Sequence, residues 1–242
     1  MTEIPNLVTI LAEKFEGTPV AAALLTWENI IFSLIAVGII STVAYLVSKK
    51  GALVPARFQA ACELYVSGVD DFVCGIIGPG GRRYTSFIGT LFIYILFMNL
   101  LGLIPLMKSP TTSWSITLAL AALVFIYVQY AGIKELGFIG YLDHMLGKPR
   151  GIIAISVVIP LMMFTLHIVS ELVRPISLSL RLRSNIWGDD MLLSLMAGFG
   201  IKGMPLLLFN SMLAILASIV QAVVFCLLTT IYFALVLTHE ET

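Results

Sequence analysis

Residues 171–190, ELVRPISLSLRLRSNIWGDD, set seven charged or amide side chains inside the most apolar half of the chain. They are Glu171, Arg174, Arg181, Arg183, Asn185, Asp189 and Asp190. Apolar sequence leads up to them from Ile152 and away from them after Met191. With 59% hydrophobic residues, 12% charged and a mean hydropathy of +1.02, the whole chain reads as an all-α polytopic membrane protein. One Arg or Asp at the centre of a bilayer costs at least about 2.5–3.5 kcal/mol. A membrane protein keeps such charges where they face a partner or a water-filled path. The stretch is therefore expected to handle a charge in transit.

Helical arithmetic groups these residues. At roughly 100° per residue, His167, Glu171, Arg174, Arg181, Asn185 and Asp189 fall within an arc of about 80°. Arg183 and Asp190 point together in another direction, which suits an ion pair. Asp189 and a ring stack near Trp187 are the other partners open to Arg183. The competing reading is a loop broken by Pro175 and Gly188. Leu172, Ile176, Leu178, Leu180, Leu182 and Ile186 argue against a solvated loop.

The rest of the chain divides into an extramembrane tail, 1–26, and a single membrane domain, 27–242. The tail is mixed in composition and reads as no cleavable leader. Spans are expected over about 28–48, 84–106, 114–131, 152–197 and 206–237, the last two long and tilted. Residues 55–78 repeat Phe58, Cys62, Tyr65, Val69, Phe72 and Ile76 at steps of four and three, with polar residues elsewhere. This predicts an amphipathic helix that lies on the membrane surface or packs under its neighbours. A Gly-rich connector is expected over 137–151. Five spans and one surface helix result.

Lys49, Lys50, Arg57, Arg82, Arg83, Lys134, Lys148 and Arg150 then share one side, which should be cytoplasmic. The N-terminus is expected outside and the C-terminus inside. Fourteen basic and fourteen acidic residues balance, which gives no attraction to nucleic acid. Three scattered cysteines suggest neither disulfides nor a metal site, and no cofactor is implied.

On the last long helix, Asn210, Gln221 and Tyr232 are spaced by eleven and share a face, flanked by Ser211 and Ser218. A Gln221 amide beside Arg181 would satisfy guanidinium donors without cancelling the charge. Interhelical hydrogen bonding is the plainer role for Gln221. A stand-alone cation transporter or antiporter would need a deep carboxylate pair, and Asp189-Asp190 fits that poorly. An intramembrane enzyme is the third reading, but no second Asp lies in another span and neither HExxH nor GxSxG occurs.

PISLSLRLRSN (175–185) resembles the signature of the subunit a family of the rotary F-type ATP synthases. NLLGLIP (99–105), PTTSWSITLALA (110–121) and IVQAVVFCLLTTIY (219–232) are similar to other stretches of that family, in the same order. The resemblance implies a non-nucleotide-binding stator subunit of the F0 sector, tilted against a ring of c subunits. It implies contacts with the peripheral-stalk b subunits, the rest of the complex and membrane lipid.

In the implied mechanism Arg181 faces the c-ring carboxylate and separates two aqueous half-channels for H+ or Na+. Asp190, Asn185 and Gln221 would border the outer path. Glu171, His167, Ser170 and Arg174 would border the cytoplasmic one. The sequence departs from the family pattern at Arg183, Ser184 and Asp189. It also has Ala214 where the family commonly has an ionisable group. A bacterial inner membrane is the expected location.

Overall fold

The computed structural model describes residues 8–9, 26–49, 57–104, 107, 109–146 and 203–237, together with single positions between 162 and 198. Among them the secondary structure is helical throughout, with no strand. The long helices are α1 Glu28–Lys49, α2 Arg57–Ile77, α3 Arg82–Leu101, α4 Trp114–Leu146 and α5 Met204–Leu237. Four stretches of the described residues are long and apolar enough to cross a membrane: Glu28–Val47, Pro79–Leu101, Trp114–Glu135 and Met204–Leu237. The span expected over 152–197 falls largely outside the described residues. The described positions 173, 176, 180, 181, 183, 184 and 187 within it are helical.

The core forms where α3, α4 and α5 meet. Tyr84, Ile88, Leu91 and Ile95 of α3 pack with Ala121, Val124 and Val128 of α4 and with Phe225 and Phe233 of α5. Tyr84 stacks on Phe233 at 4.6 Å between ring centres, and Phe87 on Tyr127 at 4.3 Å. These ring pairs add about 0.5–1.5 kcal/mol each beyond their buried area. Arg83, at the start of α3, pairs with Glu135, late in α4, so α3 and α4 run in opposite directions. Helix α1 is mostly exposed. Phe32 and Ala36 are its buried apolar residues, and Ser33 Oγ lies 2.6 Å from Tyr94 Oη of α3.

The amphipathic helix packs against its neighbours. Its contacts descend α3 as they climb α2. Tyr65 Oη donates to the Gly89 carbonyl at 2.7 Å, and Asp70 accepts from Thr85 Oγ1 at 2.8 Å. Asp70 also pairs with Arg82 Nε at 3.3 Å. Burial pushes the Tyr65 phenol well above its ordinary value. Leu64 and Val66 remain exposed on the outer side.

Two boundaries differ from the sequence reading. Helix α3 ends at Leu101 rather than near 106. Helix α4 continues to Leu146, through much of the expected connector, with one break at Gly137. There φ is 71° and ψ is 161°, a conformation that glycine reaches without a Cβ penalty. One glycine thus redirects the helix where glycine content suggested a loop. Helix α5, 34 residues long, measures about 51 Å at 1.5 Å per residue. It carries no charged residue from end to end, so it fits a hydrocarbon core of about 30 Å only when strongly inclined.

Candidate functional site

Helix α5 has one buried stripe, and its polar groups are on it. Asn210, Ala214, Ser218 and Gln221 are all buried, at steps of four, four and three. The stripe continues through Phe225 and Thr229 into the core. The other faces of its first half carry Leu208, Phe209, Met212, Leu216 and Val220, all exposed. The polar groups of this helix therefore turn inward while its apolar groups turn outward, the reverse of a helix packed in water. Tyr232, partly buried, packs against the core cluster. Ala214 is 3% exposed, so the position lacking an ionisable group is an interior one.

The segment that carries Arg181 shows a second outward apolar face. Val169, Val173, Ile176, Leu180 and Trp187 are exposed. Arg181 is also exposed, about 100° around the helix from Leu180, with exposed Ser177 and Ser184 about one turn to either side. Among the described residues no hydrogen bond or ion pair engages its guanidinium. One residue of the same segment turns inward. Ser179 is fully buried and its hydroxyl donates to the Ile176 carbonyl at 2.9 Å. Arg183, one turn after Ser179, is half-buried.

The aromatic partner of Arg183 is Trp114, which the sequence reading missed. The guanidinium carbon lies 5.2 Å from the Trp114 ring centre. The signal was present in PTTSW, but nothing in the spacing joins residue 114 to residue 183.

Trp114 opens α4, directly after the short 3-10 turn Pro110–Thr112. A buried polar clasp fixes that corner. Thr111 Oγ1 lies 3.0 Å from the Asn99 amide and 2.6 Å from Ser109 Oγ, and Ser109 Oγ donates to the Met98 carbonyl at 3.1 Å. Two hydroxyl protons cannot serve three such contacts. The count closes when Asn99 presents Nδ2 to Thr111, giving a relay from Asn99 through Thr111 and Ser109 to Met98. That orientation also partners an amide nitrogen otherwise buried without one.

Of the other residues selected from the sequence, Gln221 lies on the buried stripe of α5, 3% exposed. His167, Ser170, Glu171, Arg174, Asn185, Asp189 and Asp190 lie outside the described residues. Among the described residues no group of three or more His, Cys, Asp or Glu side chains could hold a metal ion.

An exposed arginine with no polar partner among the described residues, and a long apolar helix with its amides turned in, are the features to compare with known proteins. The family model described as ATP synthase A chain matches residues 30–234. The chain belongs to this family. The ATP synthase subunit a of Protochlamydia amoebophila is 41% identical over 248 aligned positions, covering 99% of this chain and 90% of the relative. That of a Sulfurihydrogenibium species is 34% identical, covering 88% and 99%. That of Helicobacter pylori is 38% identical, covering 80% and 82%. The ATP synthase A chain match takes in α2 to α4 entirely, and α1 and α5 but for their outermost residues.

Proposed function

We propose that this chain is the F0 stator subunit of a bacterial ATP synthase, carrying ions past a rotating ring of c subunits. The observation that carries the reading is Arg181: exposed, with no hydrogen-bond or ion-pair partner among the described residues, in an apolar segment of a family member. A guanidinium stays protonated at any physiological pH. A ring carboxylate that comes opposite it is favoured in its deprotonated form. It must give up its ion there and cannot carry one directly across. Ion flow is thereby forced through nearly a full turn of the ring. The membrane potential supplies about 2.3 kcal/mol per charge per 100 mV.

The half-channels follow from the basic residues, which assign the Arg83–Glu135 end of the bundle to the cytoplasm. Trp114 and the Asn99 clasp then lie at the outer end. Asp190, Asn185 and Gln221 border the outer path. Glu171, Ser170, His167 and Arg174 border the cytoplasmic one. The chain binds no nucleotide, and chemistry on ATP belongs to other subunits. Its partners are the c-ring, the peripheral-stalk b subunits and the surrounding inner-membrane lipid.

The test is ion flux in vesicles with Arg181→Ala and Arg181→Lys, after ring co-purification confirms assembly. Coupled ATP-driven pumping should be lost in both, leaving at most a passive leak. Coupled pumping that survives both changes would remove Arg181 from the separator role.

A further inference from the structure

The family pattern leaves Arg183 without a task, and its surroundings supply one. Arg181 and Arg183 are two residues apart, hence about 160° apart around a helix. Arg181 is exposed, whereas Arg183 is half-buried, one turn from fully buried Ser179 and one turn from exposed Trp187. The Arg183 guanidinium sits over the Trp114 ring at 5.2 Å. Trp114 is the first residue of α4, where the helix dipole is positive and disfavours a cation. The electron-rich ring face offsets that repulsion and gives the cation a defined seat. The seat is itself fixed, because the 3-10 turn before Trp114 is held by buried Ser109 and Thr111.

We propose that Arg183 is a positioning residue. Its stack on Trp114 sets the rotation of the helix that bears Arg181 and so keeps Arg181 turned outward. The role of Arg181 itself rests on the function proposed above; the rotational role of Arg183 is tested separately from it. Any helix rotation that carried Arg181 inward would lift Arg183 off the ring. A cation–π contact changes the ratio of outward to turned-away states by roughly two- to thirtyfold.

Rotation can be read directly in the assembled complex. Ser177→Cys places a thiol one turn from Arg181 on the same face, with Cys62, Cys74 and Cys226 replaced by serine or alanine. A second cysteine goes into the ring subunit, one turn from its carboxylate. The rate of oxidative cross-linking then reports how well this face meets the ring. Trp114→Leu and Arg183→Met should each slow the cross-link, by up to the factor above. The two together should be no slower than either alone. Trp114→Phe and Arg183→Lys should recover most of the rate, since each keeps its half of the contact.

An unchanged rate in Trp114→Leu overturns the proposal, whether or not pumping falls. So does slowing by Arg183→Met that Trp114→Leu does not reproduce, which would mean that another group holds the arginine. The function itself is judged by Arg181→Ala in the same background. Loss of pumping there at an unchanged cross-linking rate supports the separator role independently of Trp114.

Discussion

Replacing Thr111 by valine tests whether the corner between α3 and α4 is held by its hydrogen bonds. Thr111 is fully buried, and valine matches its shape while removing the hydroxyl. Two contacts are lost, to the Asn99 amide at 3.0 Å and to Ser109 at 2.6 Å. Each hydrogen bond contributes about 1 kcal/mol net in water-soluble proteins and about 0.6 kcal/mol between membrane helices. The expected cost is therefore about 1–2 kcal/mol, a five- to thirtyfold fall in the folded-to-unfolded ratio. Titration of the purified chain from mixed micelles into SDS, followed by tryptophan fluorescence, measures that ratio. Thr111→Ser keeps the hydroxyl and should retain most of the stability. The double variant Asn99→Leu with Thr111→Val should cost less than the sum of the single changes, because no orphaned amide remains. The reasoning is refuted if Thr111→Ser costs as much as Thr111→Val, or if the double variant is strictly additive.

Two further outcomes can be measured in the same titration. A Cβ at Gly102 would stand 2.8 Å from Ser109 Cβ, so Gly102→Ala should destabilise; at Gly89 the nearest atoms are at 3.5 and 3.6 Å, so Gly89→Ala should be neutral or gain up to about 1 kcal/mol of helix propensity. Tyr65 is an acid whose folded pKa is raised, so the folded state holds its proton longer than the unfolded chain does. Its contribution should be complete below pH 10 and be lost progressively above it, and Tyr65→Phe should flatten that alkaline loss while costing about 1 kcal/mol for the bond to Gly89.

Much of the architecture was legible because hydropathy and period are local properties. The apolar runs at 28–48 and 206–237 and the polar and apolar faces of 57–77 follow from residues close in sequence. The sequence puts Asn210, Gln221 and Tyr232 on one face with Ser218 beside it; the structure buries Asn210, Ser218 and Gln221 and leaves Tyr232 half-buried. The lipid environment explains why that face is the buried one: outside it, leucine is at home and an amide is not. The stack of Arg183 on Trp114 was not legible, because it joins residues 69 positions apart through two helices whose relative rotation is a product of folding. The continuation of α4 past Gly137 was missed for the opposite reason. Composition over 137–151 averages several glycines, while the backbone breaks at one residue's dihedral angles.

The outward faces of α5 and of the Arg181 helix have a mechanical consequence. A partner that turns against Leu208, Met212 and Leu216 meets dispersion contacts, which are individually weak and have no preferred direction. Sliding past them breaks no hydrogen bond and crosses no deep well. Amides on that side would grip each passing subunit and act as a brake. With Asn210, Ser218 and Gln221 inside, this side of α5 is a low-friction bearing surface, and under the role proposed for Arg181 the resistance to rotation is concentrated at that residue.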